Sequence, residues 1–283
     1  MPEDQTTQIY GPIAKDLALV EELLESVKSV DIFALQKMLE HALESRGKRL
    51  RPALVLLAGT FGNYDLNKLV PLGTAIELLH TASLVHDDVI DSAENRRGKP
   101  TANSLFDNAL TVLLGDFLFA NAAEMVTRTG SLKVTRLFSL TLMKMTSGEL
   151  DQDTAAFDVG RDVQSYLSRI GGKTASLMEN ATEGGAVLAG CSNEGVEALR
   201  SYGYNLGMAF QIVDDILDFE GTEEVMGKPV GSDLKEGTIT LPTLLYLQSA
   251  NPENVVKKFL ETEQERQSYL EEAISEITNS PAL

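Results

Sequence analysis

Six aspartates stand out by type and spacing. Asp87, Asp88 and Asp91 lie in SLVHDDVID, and Asp214, Asp215 and Asp218 lie in FQIVDDILDF. Each triplet has the spacing i, i+1, i+4. On a helix, residues four apart share a face, so the first and third carboxylates lie nearly above one another with the second beside them. Carboxylates this close repel unless a cation binds. Oxygen-only donors on a rigid element suit Mg2+, which takes a few carboxylates and completes its shell with water and phosphate oxygens. A solvated acidic face would explain one such triplet. Two with the same spacing, both embedded in apolar sequence, argue against that explanation.

Basic residues cluster around these triplets. SRGKRLRP carries Arg46, Lys48, Arg49 and Arg51, and Pro52 suits the first turn of a helix, whose N-terminus favours an anion. Arg96 and Arg97 follow the first triplet in a loop bounded by Gly and Pro, and arginine grips phosphate with two parallel hydrogen bonds. Lys173 and Thr174, in IGGKTAS, look like the end of a P-loop. The first glycine of that pattern would fall on Leu167, so a nucleotide P-loop is excluded. Lys228 and Lys235 lie in the long loop after the second triplet. Singly, each reads as a surface cation; together they point to one or two oligophosphate substrates. His80 stands two helical turns before Asp87, on nearly the same face.

The elements that must position these groups read almost entirely as helix. Apolar periodicity predicts helices over 11–27, 31–46, 51–60, 68–91, 103–128, 132–150, 162–190, 194–219, 239–249 and 253–278. Strand signals are weak, no Pro/Ser-rich linker divides the chain, and Ser192 or Asn193 can cap the helix that follows. The expectation is one all-α domain over 1–283. A 43% hydrophobic content permits a large core. The net charge of −18 excludes non-specific nucleic-acid binding and means that anionic substrates must be drawn in by local cationic clusters. A single cysteine, Cys191, excludes an intrachain disulfide, and no Cys/His spacing suggests zinc. MPEDQTTQIY lacks the features of a signal peptide, and no uninterrupted apolar run approaches a membrane span. The chain is expected to be soluble and cytoplasmic, with no stable membrane anchor.

Taken in order, these motifs resemble the trans-isoprenyl diphosphate synthases. The resemblance rests on the GKRLRP run from Gly47 to Pro52, His80, HDDVID, the RRGKPT run from Arg96 to Thr101, Gly172-Lys173-Thr174, Phe210 and Gln211 with DDILD, and the GKPVGSDLKEG loop. It implies the isoprenoid synthase fold, antiparallel helices around a central apolar cavity. It also implies condensation of an allylic diphosphate (farnesyl or geranylgeranyl) with isopentenyl diphosphate. By position, Asp87, Asp88, Asp91, Asp214 and Asp218 would hold Mg2+ ions, about three per site, against the allylic diphosphate and neutralise its developing charge. Asp215 would act behind them. Arg96, Lys173, Thr174, Gln211 and Lys228 would contact the same diphosphate. Gly47, Lys48, Arg51, His80 and Arg97 would bind isopentenyl diphosphate. Catalysis would fall chiefly on Asp87, Asp88, Asp214, Arg96 and Lys173.

In this family the residues about a turn before the first triplet floor the cavity. Here they are Leu79, Ala82 and Ser83, the last two small where short-chain relatives often carry an aromatic. The tail would extend past them until a bulky residue such as Phe138, Leu142 or Met145 stops it. Close helix packing also explains small residues. The expected product is all-trans, of about twenty-five carbons or more, with geranylgeranyl diphosphate as the alternative. The chain departs from the family pattern at Thr238, where many members have Lys, and at Leu283, short of the one or two further helices usual there. The latter leaves open a truncated or shorter C-terminus. A class I terpene cyclase would not need the GKRLRP loop. A non-catalytic partner subunit tends to lose the aspartates or basic ligands, which are present here. A calcium-binding or scaffold protein lacks support because the EF-hand pattern is absent. Leu113, Leu114, Phe117, Leu118, Ala122 and Met125 make helix 103–128 too apolar to be solvated, so it reads as a core helix or a homodimer contact.

Overall fold

In this computed structural model, residues 9–44, 47–96, 98–221 and 229–283 are described. The described residues are helical apart from one two-stranded hairpin and the connections, so the all-α expectation holds. The chain divides into two compact units, Met1–Leu142 with Leu177–Tyr204, and Met143–Ser176 with Asn205–Leu283.

The first unit is built on α4, Leu66–Ile90, which meets α1 (Ala14–Ser26) and α3 (Leu50–Gly59) and packs most extensively on α6 (Asn108–Thr127). α2 is Phe33–Glu44. Asp65 starts α4, its side chain accepting from Asn67 N at 3.1 Å. Every residue from Leu69 to Leu79 is buried. A helix apolar on all sides is surrounded on all sides, unlike an amphipathic surface helix. α4 ends where Ser92, at φ 51, takes the left-handed turn usual for a helix C-terminus, and Ala93 N reaches back to Asp88 O at 3.0 Å.

The expected helix 103–128 is two helices, α5 (Ala102–Leu105) and α6, broken at Phe106. Asp107 caps α6 by accepting from Leu110 N at 2.8 Å, and the apolar periodicity runs smoothly over this break. α6 is long and apolar enough to cross a bilayer, although Asp116 and Glu124 interrupt its apolar run. Leu114, Leu118, Ala122 and Met125 are buried, as a core helix requires, whereas Leu110 and Leu113 are exposed.

The second unit holds the expected helix 162–190 up to Ser176. It begins as α8 (Val163–Ile170), with a capping box between Asp162 and Ser165, and continues as a π-helical turn over Gly171–Ala175. The next helix in sequence, α9 (Ser176–Leu188), lies in the first unit from Leu177. The boundary between units also falls inside α7 (Leu132–Thr154) and α10 (Asn193–Glu220). Ser192 caps α10, its hydroxyl accepting from Gly195 N at 3.2 Å. A short α11, Ser232–Glu236, was not anticipated, and α12 is Leu241–Ser249. The expected helix 253–278 is α13 (Val255–Glu261) and α14 (Arg266–Thr278), joined through a 3-10 turn. Tyr166, Phe219, Leu234, Ile239, Phe259 and Ile277 anchor the core of this unit.

The α4–α6 contact predicts an intolerant position. His86 lies 3.0 Å from Val112 O through Nε2 and meets the Phe119 ring edge-on at 5.3 Å. A Cβ at Gly115 would run into the His86 ring. Gly115→Ala should therefore cost about 1–3 kcal/mol. Urea unfolding measures it; an unchanged midpoint would show that the contact gives way freely.

Candidate functional site

The first aspartate centre lies at the C-terminal end of α4. Asp88 is buried, Asp87 half-buried and Asp91 exposed. Beyond it the chain folds into a hairpin, β1 (Asn95–Arg96) against β2 (Lys99–Pro100), pairing Arg96 with Lys99. The hairpin turns Arg96 back so that its Nε donates to Asp88 Oδ1 at 2.6 Å. Thr101 holds the returning strand by donating to Ala93 O at 2.6 Å. Burial pushes the Asp88 carboxyl above its ordinary pKa, against the pull of Arg96. Arg97 and Arg46 lie outside the described residues.

The basic loop is organised by Arg49. It precedes α3 in the left-handed conformation, φ 48, and donates through Nη1 to Glu77 Oε1 at 2.7 Å. Its Nε and Nη2 bond Glu21, the latter at 3.2 Å. Arg49 is thus a half-buried strut between α1 and α4. It flanks the exposed Lys48 and leaves Gly47, Lys48 and Arg51 at the start of α3. Glu77 sits three residues before the half-buried His80 on α4, so the strut places this loop against that face. Leu79 and Ala82 are wholly buried, and Ser83 is half-buried with its hydroxyl donating to His80 O at 2.8 Å.

The second centre, on α10, is a chain of hydrogen bonds. Thr174 Oγ1 donates to Gln211 Oε1 at 2.7 Å, and Gln211 Nε2 donates to Asp215 Oδ1 at 2.8 Å. Tyr166 OH donates to Asp215 Oδ2 at 2.6 Å. Asp215 is only 2% exposed, and burial pushes its pKa up to about 6 although both donors pull it down. Asp218 is buried and accepts from Asp233 N at 3.2 Å, while Asp214 is half-buried. Lys173, on the π-helical turn, donates to Glu149 Oε1 at 2.8 Å. The turn lies close against α7, since a Cβ on Gly148 would come 2.8 Å from Lys173 N. Lys228 lies outside the described residues. Among the described residues, no three Asp, Glu, His or Cys side chains converge closely enough to hold a metal by themselves.

Of the residues assigned to the allylic diphosphate, the structure brings Arg96 onto the first triplet and Thr174 and Gln211 onto the second; four further participants were missed. Glu77 carried a signal, a carboxylate inside a wholly apolar helix. Glu149 lies in GELDQD and Glu21 in VEELLE, where they cannot be told from solvated charge. Tyr166 carried none.

Two measurements test this geometry. Arg49→Ala strands Glu77 in the interior and should cost about 3–5 kcal/mol in denaturant unfolding; a loss near that of a surface ion pair would refute the strut. For Asp215, the folded carboxyl keeps its proton to about pH 6, whereas the ordinary value is 3.8. The stability this proton supplies is complete below the ordinary value and is lost as pH rises through about 6. The stability of Asp215→Asn relative to the unsubstituted chain, with divalent ions chelated, should therefore climb across that window and then level off. A pH-independent difference would contradict the burial of an ionisable Asp215.

The sequence profile of the polyprenyl synthetase family matches residues 33–277. The chain is 40% identical over 274 residues to "Heptaprenyl diphosphate synthase component 2" of Bacillus subtilis (strain 168), covering 97% of this chain and 78% of the relative. It is 38% identical over 267 residues to octaprenyl diphosphate synthase of Escherichia coli (strain K12), covering 94% and 83%. The crystal structure of polyprenyl synthase from Caulobacter crescentus CB15, complexed with calcium and isoprenyl diphosphate, superposes with a TM-score of 0.92 at 35% identity, covering 98% of this chain and 85% of that one. With 245 matched residues out of 283 and both aspartate motifs inside the match, this chain belongs to the polyprenyl synthetase family and is a trans-prenyltransferase.

Proposed function

We propose that the chain joins an allylic diphosphate to isopentenyl diphosphate in a Mg2+-dependent reaction and extends it to an all-trans polyprenyl diphosphate of about twenty-five carbons or more. The observation that supports this reading is the geometry at the two aspartate motifs, where Arg96 Nε donates to Asp88 at 2.6 Å and Tyr166 OH donates to Asp215 at 2.6 Å, so that each buried middle carboxylate is fixed beside its neighbours.

The donor set fits Mg2+. It is all carboxylate oxygen, the donor chemistry of an ion that binds through a few carboxylates plus substrate phosphates. Asp87, Asp88, Asp91, Asp214 and Asp218 would hold the Mg2+ ions between them. When bound, the ion neutralises charge on the departing pyrophosphate. Arg96 and Lys173 add to that neutralisation by turning to the diphosphate from Asp88 and Glu149. Thr174 and Gln211 orient the diphosphate from the network that holds Asp215. Lys48, Arg51 and His80 bind isopentenyl diphosphate from the loop that Arg49 braces. The allylic C–O bond breaks and its electron pair leaves with pyrophosphate. The alkene of isopentenyl diphosphate supplies the pair for the new C–C bond, and a proton passes from the adduct to the released pyrophosphate. Apolar walls keep water from the cation.

For chain length, Ala82 and Ser83 leave the floor open, and the relatives above named for heptaprenyl and octaprenyl products support a long product. The same reading has the enzyme cytoplasmic and dimeric, with the exposed Leu110 and Leu113 of α6 in the subunit contact. A second reading, partner in a heteromeric synthase, is favoured by the relative named as a component.

Purified protein with Mg2+, labelled isopentenyl diphosphate and farnesyl diphosphate should form a product ladder reaching about twenty-five carbons or more. Ala82→Phe should shorten it, and Asp87→Ala should lower kcat by about a hundred- to a thousand-fold. No elongation by a folded sample alone, restored by a second polypeptide, would establish the component reading instead.

A further inference from the structure

Three described non-glycine residues have positive φ: Arg49, Ser92 and Phe157. Arg49 is the strut and Ser92 closes α4. Phe157, at φ 62, lies in the loop between α7 and α8, and an aromatic there is strained by an amount on the order of 1–3 kcal/mol. Strain of this kind persists only where the surroundings over-determine it.

Those surroundings are specific. The Arg266 guanidinium stacks on the Phe157 ring at 3.5 Å, and Phe259 lies 6.2 Å away, centroid to centroid. Arg266 is itself held at the end of α13, donating to Phe259 O at 3.2 Å and Leu260 O at 3.4 Å. Phe157 N donates to Gly237 O at 2.9 Å, and the ring covers Gly237 so closely that a Cβ there would collide with it. Gly237, at φ 86, closes α11. The opposite end of α11 grips the second aspartate centre: Gly231 N donates to Asp218 O at 2.8 Å, and Asp233 N to Asp218 Oδ2 at 3.2 Å. Thr238 N to Asp233 O, 2.8 Å, ties the two ends of this turn together. Arg266, Phe157, Gly237, α11 and Asp218 thus form one connected series inside the second unit.

We propose that Phe157, clamped by Arg266, is a positioning residue for Asp218: it fixes the end of α11 and thereby sets the direction of the Asp218 carboxylate toward a Mg2+–diphosphate. The proposal rests on the reading of Asp218 as a metal ligand. Groups that orient a ligand are worth about ten- to a hundred-fold in metal affinity.

The test compares Phe157→Ala, Phe157→Tyr, Val256→Ala and Asp218→Asn. Val256 is wholly buried in the same core and serves as a stability control. The readouts are calorimetric affinity for inorganic pyrophosphate with Mg2+, Tm, and KM for farnesyl and isopentenyl diphosphates. Phe157→Ala should weaken Mg2+–pyrophosphate about tenfold and raise KM for farnesyl diphosphate while leaving that for isopentenyl diphosphate unchanged. Phe157→Tyr should restore both. Val256→Ala should lower Tm without touching affinity. Should the alanine variant not fold, Phe157→Leu carries the same comparison. Loss of affinity in Asp218→Asn but not at Phe157 would overturn the positioning role and leave the ligand reading standing. Full affinity in Asp218→Asn would remove the ligand reading and the proposal with it. Equal affinity losses from Val256→Ala and Phe157→Ala would reduce the effect to general destabilisation and overturn the proposal.

Discussion

Burying carboxylates is the constraint on which both aspartate centres depend. Water solvates an ionised carboxylate far better than a protein interior does, so each buried aspartate needs donors or must take up a proton. The middle aspartate of each triplet shows the same solution. Asp88 accepts from Arg96, brought back by a hairpin; Asp215 accepts from Tyr166 and Gln211, brought in by α8 and by the preceding turn of α10. In both, burial still outweighs the donors and the carboxyl is pushed up. Burial therefore opposes the ionised form of both middle carboxyls, and positive charge placed beside them would favour it.

The same rule explains why the loop at the start of α3 has a fixed shape. Arg49 holds a left-handed backbone conformation that costs free energy, and three hydrogen bonds to Glu21 and Glu77 keep it there. Glu77 is buried on a helix with no polar side, so its only tolerable state is paired. The arginine that looks like a phosphate ligand in sequence is thus spent internally, and its neighbours are displayed in its place.

Much of this was legible in sequence because it is periodic or local. The two triplets and the helices that bear them follow from spacing, and the cap of α10 is narrowed to Ser192 or Asn193, of which the structure uses Ser192. What escaped depends on pairings across long separations. Glu21 meets Arg49 over 28 residues, and Tyr166 meets Asp215 over 49. No local pattern marks a tyrosine as the donor to a distant carboxylate. The break at Phe106 escaped for the opposite reason: a strong apolar period continued through it, and only the capping chemistry of Asp107 marks where one helix stops and another starts. The hairpin at Asn95–Arg96 is too short to show alternation at all.

The net charge bears on how such a site takes its substrates. At −18 the protein as a whole repels a diphosphate, so recognition must come from short-range groups, and screening at physiological salt confines the repulsion to about 8 Å from exposed charges. Two of the cations suited to this task, Arg96 and Lys173, are held by carboxylates, Asp88 and Glu149. Turning either toward a phosphate leaves a partly buried carboxylate behind, which is costly for a bare diphosphate. A diphosphate arriving with divalent cations supplies the compensating charge in the same event. If these residues serve the proposed reaction, the ion pairs would disfavour the metal-free anion and would couple diphosphate binding to the arrival of divalent cations.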